Sequence, residues 1–129
     1  MNNLAAMLPA APTGAGYTID DRPAWNRLAA LDAFQSIVSR AETLAGEPVP
    51  DQPDDLYLDY SKTGNRTRFQ TVTFKRNARL STLALAECLD NRGRFIPPLE
   101  EMVAHLCRER TWVLPAHDPH LANFHGTMV

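Results

Sequence analysis

Cysteine is scarce in this chain of 129 residues, with only Cys88 and Cys107 present. Two cysteines make no disulfide framework, so stability has to come from a hydrophobic core. Both fall in helical patterns beside leucines, which reads as a pair of buried free thiols. A dominant charge of either sign is missing too. The formal net charge is −2, which gives no electrostatic case for nucleic acid or for an anionic membrane surface. No apolar run approaches the length needed to cross a bilayer. The six glycines form no phosphate-cradling loop, no serine or cysteine sits in a nucleophile motif, and no paired carboxylates stand out. Strand–helix alternation is absent, which argues against a doubly wound sheet, and no short-period repeat is visible.

What is present fits one globular domain: 44% hydrophobic and 22% charged residues in a single-domain length. The opening Met1-Asn2-Asn3-Leu4-Ala5-Ala6-Met7-Leu8 lacks a basic first segment, and Pro9 and Pro12 cut its apolar run short. It therefore reads as a frayed arm or short first helix rather than a signal peptide. Residues 9 to 20 are rich in Pro, Gly, Ala and Thr, favouring an extended lead-in. The expected organisation is an arm over 1–20 and an all-α helical domain over 21–129.

Asp21 and Pro23 together mark a helix start, the aspartate as cap and the proline in the first turn. From Trp25, which reads as core, the apolar positions Leu28, Leu31, Phe34, Ile37, Val38, Ala41 and Leu44 keep the three-and-four spacing of one amphipathic helix over 23–45. Gly46 and Pro48 end it. Residues 46 to 55 read as a surface loop. Leu56 to Tyr60 alternates like a strand but has no evident partner, so an ordered loop or helical turn is preferred. A second helix is expected over 66–91, capped by Gly93. A third is expected over 98–110 from Pro97-Pro98, with Glu100 and Glu101 in its first turn. The expected shared core is Leu28, Leu31, Phe34, Leu80, Leu83, Met102, Val103 and Leu106. Residues 111 to 120 hold two prolines and no period, which predicts a structured loop.

That loop carries the densest cluster of chemistry, His117, Asp118, His120 and, just beyond, His125. Histidines with a carboxylate are zinc-ligand types, but Pro119 forbids the helical spacing that a metal motif needs. The expectation is a polar loop lining a cleft or lying in solvent, with no metal and no cofactor. A second cluster, Asn65 and Arg66 at a helix start, suits a carboxylate ligand. The plain alternative is Asn65 as a helix cap and Arg66 as a solvated charge. Tyr57 and Tyr60 suit sugar stacking or acid–base work, or simply pack loop on helix; Trp112 reads as a loop anchor or a platform.

Several of these features recur in a familiar order: Asp20-Asp21-Arg22 with Trp25, the Gly64-Asn65-Arg66 turn, Arg79-Leu80 with Leu85-Ala86-Glu87-Cys88, Gly93-Arg94-Phe95, and Thr111-Trp112-Val113-Leu114-Pro115-Ala116-His117. Together, over residues 17 to 129, they resemble the N-terminal part of heparinase II/III-like polysaccharide lyases. The resemblance implies the first portion of an α/α toroid, from a protein cleaving uronic-acid-containing glycans by β-elimination. It also implies that most catalytic groups belong to later helices and a β-sandwich domain, so that this portion is inactive alone. Tyr60, Asn65, Arg66, Trp112, His117 and His120 are carried over as candidate substrate-binding residues, with an acidic polysaccharide or oligosaccharide as partner. A toroid portion without its later neighbours is expected to self-associate as a homo-oligomer. The rival reading is a non-catalytic helical protein-interaction module.

Overall fold

The computed structural model describes residues 16–127. The expected arm falls largely on residues 1–15, outside the described residues. Among the described residues the fold is all-helical, with no strand. Five α-helices follow in order: α1 Arg22–Ala29, α2 Asp32–Ala45, α3 Asp54–Thr63, α4 Thr67–Asp90 and α5 Ile96–Cys107, then a 3-10 turn at Pro115–His117.

The long first helix of the sequence reading is corrected to two. Leu31 adopts an extended conformation (φ −81°, ψ 134°) and Asp32 opens a new first turn, where the helix dipole favours its charge. The break serves packing at both ends. Asp21 caps α1 by accepting from the Ala24 amide at 3.2 Å, and this sets Arg22 against the far end of α4. The Arg22 guanidinium there donates to the carbonyls of Cys88 and Leu89, at 2.9 and 3.3 Å, groups that the helix itself leaves free. Past the break, α2 lies along α4. Leu31, expected in the core, is exposed at the bend.

Residues 54 to 63 form a full helix rather than an ordered loop or single turn. Asp54 and Asp55 lie in its first turn and Lys62 in its last, both favourable to the dipole. Gly64 closes it in the left-handed region (φ 75°), its amide donating to the Tyr60 carbonyl at 2.8 Å. Next, the Asn65 side chain accepts from the Arg68 amide at 3.2 Å, starting α4. At the other end of α4 the left-handed cap is Asn91 (φ 52°), two residues before the expected Gly93, which is itself left-handed (φ 74°). The third expected helix begins at Ile96 and stops at Cys107, so Glu100 and Glu101 sit beyond its first turn.

Helix α4 is the spine, with α1, α2, α3 and α5 all packed on it. Its 24 residues span about 36 Å and join two separate hydrophobic clusters. One combines Ala41 of α2, Leu83 and Ala86 of α4, and Phe95, with Ile37, Val38 and Leu99 against it. The other combines Tyr57 of α3, Phe69 of α4 and Phe124, edged by Leu56, Leu58, Leu114 and Leu121. Leu83 and Met102 are buried as expected. Val103 is exposed, and Leu28, Phe34, Leu80 and Leu106 are only half-buried, because two small clusters replace one continuous core. Cys107 is exposed and Cys88 half-buried, so neither thiol is fully interior; Trp25 too is half-buried.

Candidate functional site

Between the two clusters, α4 turns Arg76 and Arg79 inward. Both are almost fully buried, which requires their charges to be paired or hydrogen-bonded. Arg79 donates to the carbonyls of Glu47 and Pro48, at 2.8 and 3.4 Å. Arg76 donates to the Pro50 carbonyl at 3.0 Å and pairs with Glu109 at 2.9 Å. The two arginines thus fasten the 47–50 segment across the gap. Burial pushes the Glu109 carboxyl above its ordinary range, against the opposing pull of Arg76.

Asp118 organises the C-terminal loop. It is only 2% exposed, and each carboxylate oxygen accepts two hydrogen bonds. One takes the Asn123 amide and side chain at 3.1 and 3.2 Å, the other the Tyr57 hydroxyl at 3.0 Å and the Phe124 amide at 2.9 Å. Burial alone would raise this carboxyl; the donated amides and hydroxyl outweigh it and hold it below its ordinary range. The Tyr57 phenol is pushed up, first by burial and then by the neighbouring Asp118. Tyr57 also stacks on Phe124 at 5.0 Å and meets Phe69 edge-on at 5.3 Å. The loop is therefore pinned to α3 and α4 by one carboxylate and one aromatic triplet.

A cleft of about 360 Å³ opens beside this triplet. Its rim comes from the segment before α3, from α4, and from the end of α5 with the residues that follow. Arg110 bridges the rim, pairing with Asp54 at 2.7 Å and lying 5.3 Å over the Phe124 ring.

The six candidates fall into two groups, and none of them lines this cleft. Tyr60, Asn65 and Arg66 lie at the α3–α4 turn: Tyr60 and Asn65 half-buried, Arg66 exposed, with Asn65 engaged as the cap of α4. Trp112, His117 and His120 are all exposed on the C-terminal loop. The turn at Pro115–His117 packs against α3, the helix that carries Tyr60. Asp118 differs from its histidine neighbours: both its oxygens are committed within the fold. His125 is exposed and meets Phe124 edge-on at 5.2 Å. Among the described residues, no group of three or more His, Cys, Asp or Glu side chains is placed to hold a metal ion. No helix among them is long and apolar enough to cross a membrane.

Sequence reasoning missed Arg76, Glu109 and Arg110 as a constellation. One signal was present: Phe69, Arg76 and Leu83 recur every seven residues, placing Arg76 on the buried stripe of α4. The chain matches no protein-family model, and no curated protein matches it.

Proposed function

We propose that this chain is the N-terminal portion of a polysaccharide lyase acting on uronic-acid-containing glycans, inactive alone, and supplying helices of an α/α toroid with a glycan-facing loop. The observation that carries this reading is Trp112. The residue is 74% exposed, yet its indole N–H donates to the Leu106 carbonyl at 2.9 Å. A large aromatic side chain in water, anchored by that hydrogen bond, is suited to meet the apolar face of a sugar ring. On the same loop, His117 and His120 are exposed while the backbone is anchored through Asp118, so ordering is already in place before a ligand arrives.

In β-elimination the uronate carboxylate is neutralised, a base removes the C5 proton, and that electron pair forms the C4–C5 double bond. The C4–O bond breaks, and an acid protonates the leaving oxygen. Arg66, with the amides at the start of α4, suits the carboxylate; the imidazoles of His117 and His120 suit contact with hydroxyl and glycosidic oxygens. The order of motifs over residues 17 to 129 supports the family reading, which also entails an acidic polysaccharide partner and self-association of this portion.

Titration with a uronate oligosaccharide, read by tryptophan fluorescence, tests the proposal. Binding should change the emission of Trp112 and disappear in Trp112→Ala, with half-buried Trp25 as internal reference. The chain alone should yield no unsaturated product. Absence of binding would sink the glycan reading; product formation abolished by His117→Ala would overturn the inactivity. The non-catalytic interaction module has one observation in its favour, Phe74, which is 56% exposed on the central helix.

A further inference from the structure

None of the six glycan candidates lines the cleft beside the aromatic triplet, and the charges of its lining balance. Three guanidinium groups, Arg76, Arg108 and Arg110, line it with three carboxylates, Asp51, Asp54 and Glu109. Two of the arginines are already matched, Arg76 to Glu109 and Arg110 to Asp54. The lining therefore has formal charge zero with His105 neutral, and offers no net attraction to a carboxylate, a phosphate or a cation. Beside those two ion pairs, the lining offers the Arg108 guanidinium, the Asp51 carboxylate, the Gln52 amide and the Thr111 hydroxyl as further donors and acceptors. Hydroxyl groups donate and accept at once, so adjacent hydroxyls on a ring satisfy paired forks of both kinds where an ion satisfies only one. Tyr57, Phe69 and Phe124 back the cleft, but each is buried and contributes only a small apolar area to a mainly polar lining. At about 360 Å³ the cleft is at the small end of ligand sites, which suits one or two sugar rings.

From this geometry we infer that the cleft is a binding site for a neutral pyranose. Arg76 and Glu109 are preorganised by their mutual ion pair and by the Pro50 carbonyl, and Arg110 by Asp54 and the Phe124 ring. Little ordering cost remains for the ligand to meet. Arg108 and Asp51 are both exposed on the rim, as are Arg110 and Asp54. This site does not depend on the lyase reading.

The test is an amide-resolved NMR titration of the full chain with the methyl glycosides of glucose, galactose and mannose, with sodium glucuronate and inorganic phosphate run in parallel. At least one neutral glycoside should give saturable shifts at Gln52, Arg108 and Thr111, with a dissociation constant of order 1 mM. High salt should leave it unchanged. Arg108→Gln and, separately, Asp51→Asn should each weaken it about tenfold, with the rest of the spectrum preserved. Trp112→Ala should leave it intact, which separates this site from the loop. The inference is overturned if none of the three glycosides shifts the cleft amides. It is equally overturned if glucuronate or phosphate binds there more tightly and is displaced by salt, which would make the cleft an anion site.

Discussion

Asp118 keeps its charge inside the protein because four hydrogen bonds converge on it, two of them from backbone amides. Its folded carboxyl binds protons less readily than the ordinary value of 3.8. The stability it contributes is therefore fully present above that value, and is lost as pH falls through the lower folded value. Asp118→Asn should lower the melting temperature at neutral pH, since its amide group would set donors against the amides of Asn123 and Phe124. It should also flatten the acid limb of the melting profile below about pH 4, and an unaltered acid limb would show that Asp118 is not the group titrating there. Glu109 runs the other way. Its raised carboxyl favours the fold below the ordinary 4.5, and that contribution is lost as pH rises through the folded value. Arg76→Ala strands Glu109 and frees the Pro50 carbonyl, so it should cost at least about 2 kcal/mol in chemical denaturation. Arg66→Ala, at an exposed position, should stay within about 0.5 kcal/mol of the parent. At this scale the sequence was only partly legible. His117, Asp118 and His120 stood out as one cluster, but burial divides them: the carboxylate is consumed in folding and the imidazoles are left facing water.

Helix α3 shows how local chemistry sets an element's length. Acidic residues open it, Lys62 lies in its last turn, and Gly64 ends it at a backbone angle that a side chain resists. No atom would meet a Cβ at Gly64, so Gly64→Ala tests backbone strain alone and should cost about 1 kcal/mol. The cluster around Leu83 gives a contrasting case. Leu83 is fully buried among Ala41, Ala86 and Phe95, and Leu83→Ala should cost about 2 to 5 kcal/mol by leaving a cavity. A loss below about 1 kcal/mol would mean that this cluster collapses freely around the gap. Periodicity made α4 legible to within one residue and α5 to within three. It failed at Leu31 because the apolar spacing continues across the bend, while the reason for the bend is tertiary: Arg22 reaches the carbonyls closing α4. It failed at α3 because Leu56, Tyr57, Leu58 and Tyr60 alternate like a strand, and only Tyr57 is fully buried among them. The cleft was illegible for a similar reason, since its lining comes from separate stretches of chain that only the fold brings together.

On the scale of the whole molecule, α5 leaves an apolar stripe in water. Ile96 and Val103 are exposed at 38% and 43%, and the exposed Cys107 follows one turn later. Spacings of seven and four place all three on one helix face. The adjoining side of α5 is spent on α4, through Leu99 against the Ala41–Leu83 cluster and through Met102, which is fully buried. Exposed apolar faces rimmed by charge tend to mark association surfaces, and here Glu101 and Arg108 flank the stripe while Glu100 lies on it between Ile96 and Val103, all exposed. A two-fold arrangement lets such a stripe meet itself, each α5 covering the other. We predict a homodimer through α5, in keeping with the self-association proposed above. Light scattering should give twice the chain mass at high concentration, and Val103→Arg should return the protein to monomer without lowering its helix content. Cys107 supplies an independent reading, because a two-fold axis near it allows a short bifunctional maleimide to link two copies, whereas half-buried Cys88 is shielded. A monomer that persists at high concentration, with no crosslink through Cys107, would leave the α5 stripe to a different protein and favour the interaction-module reading.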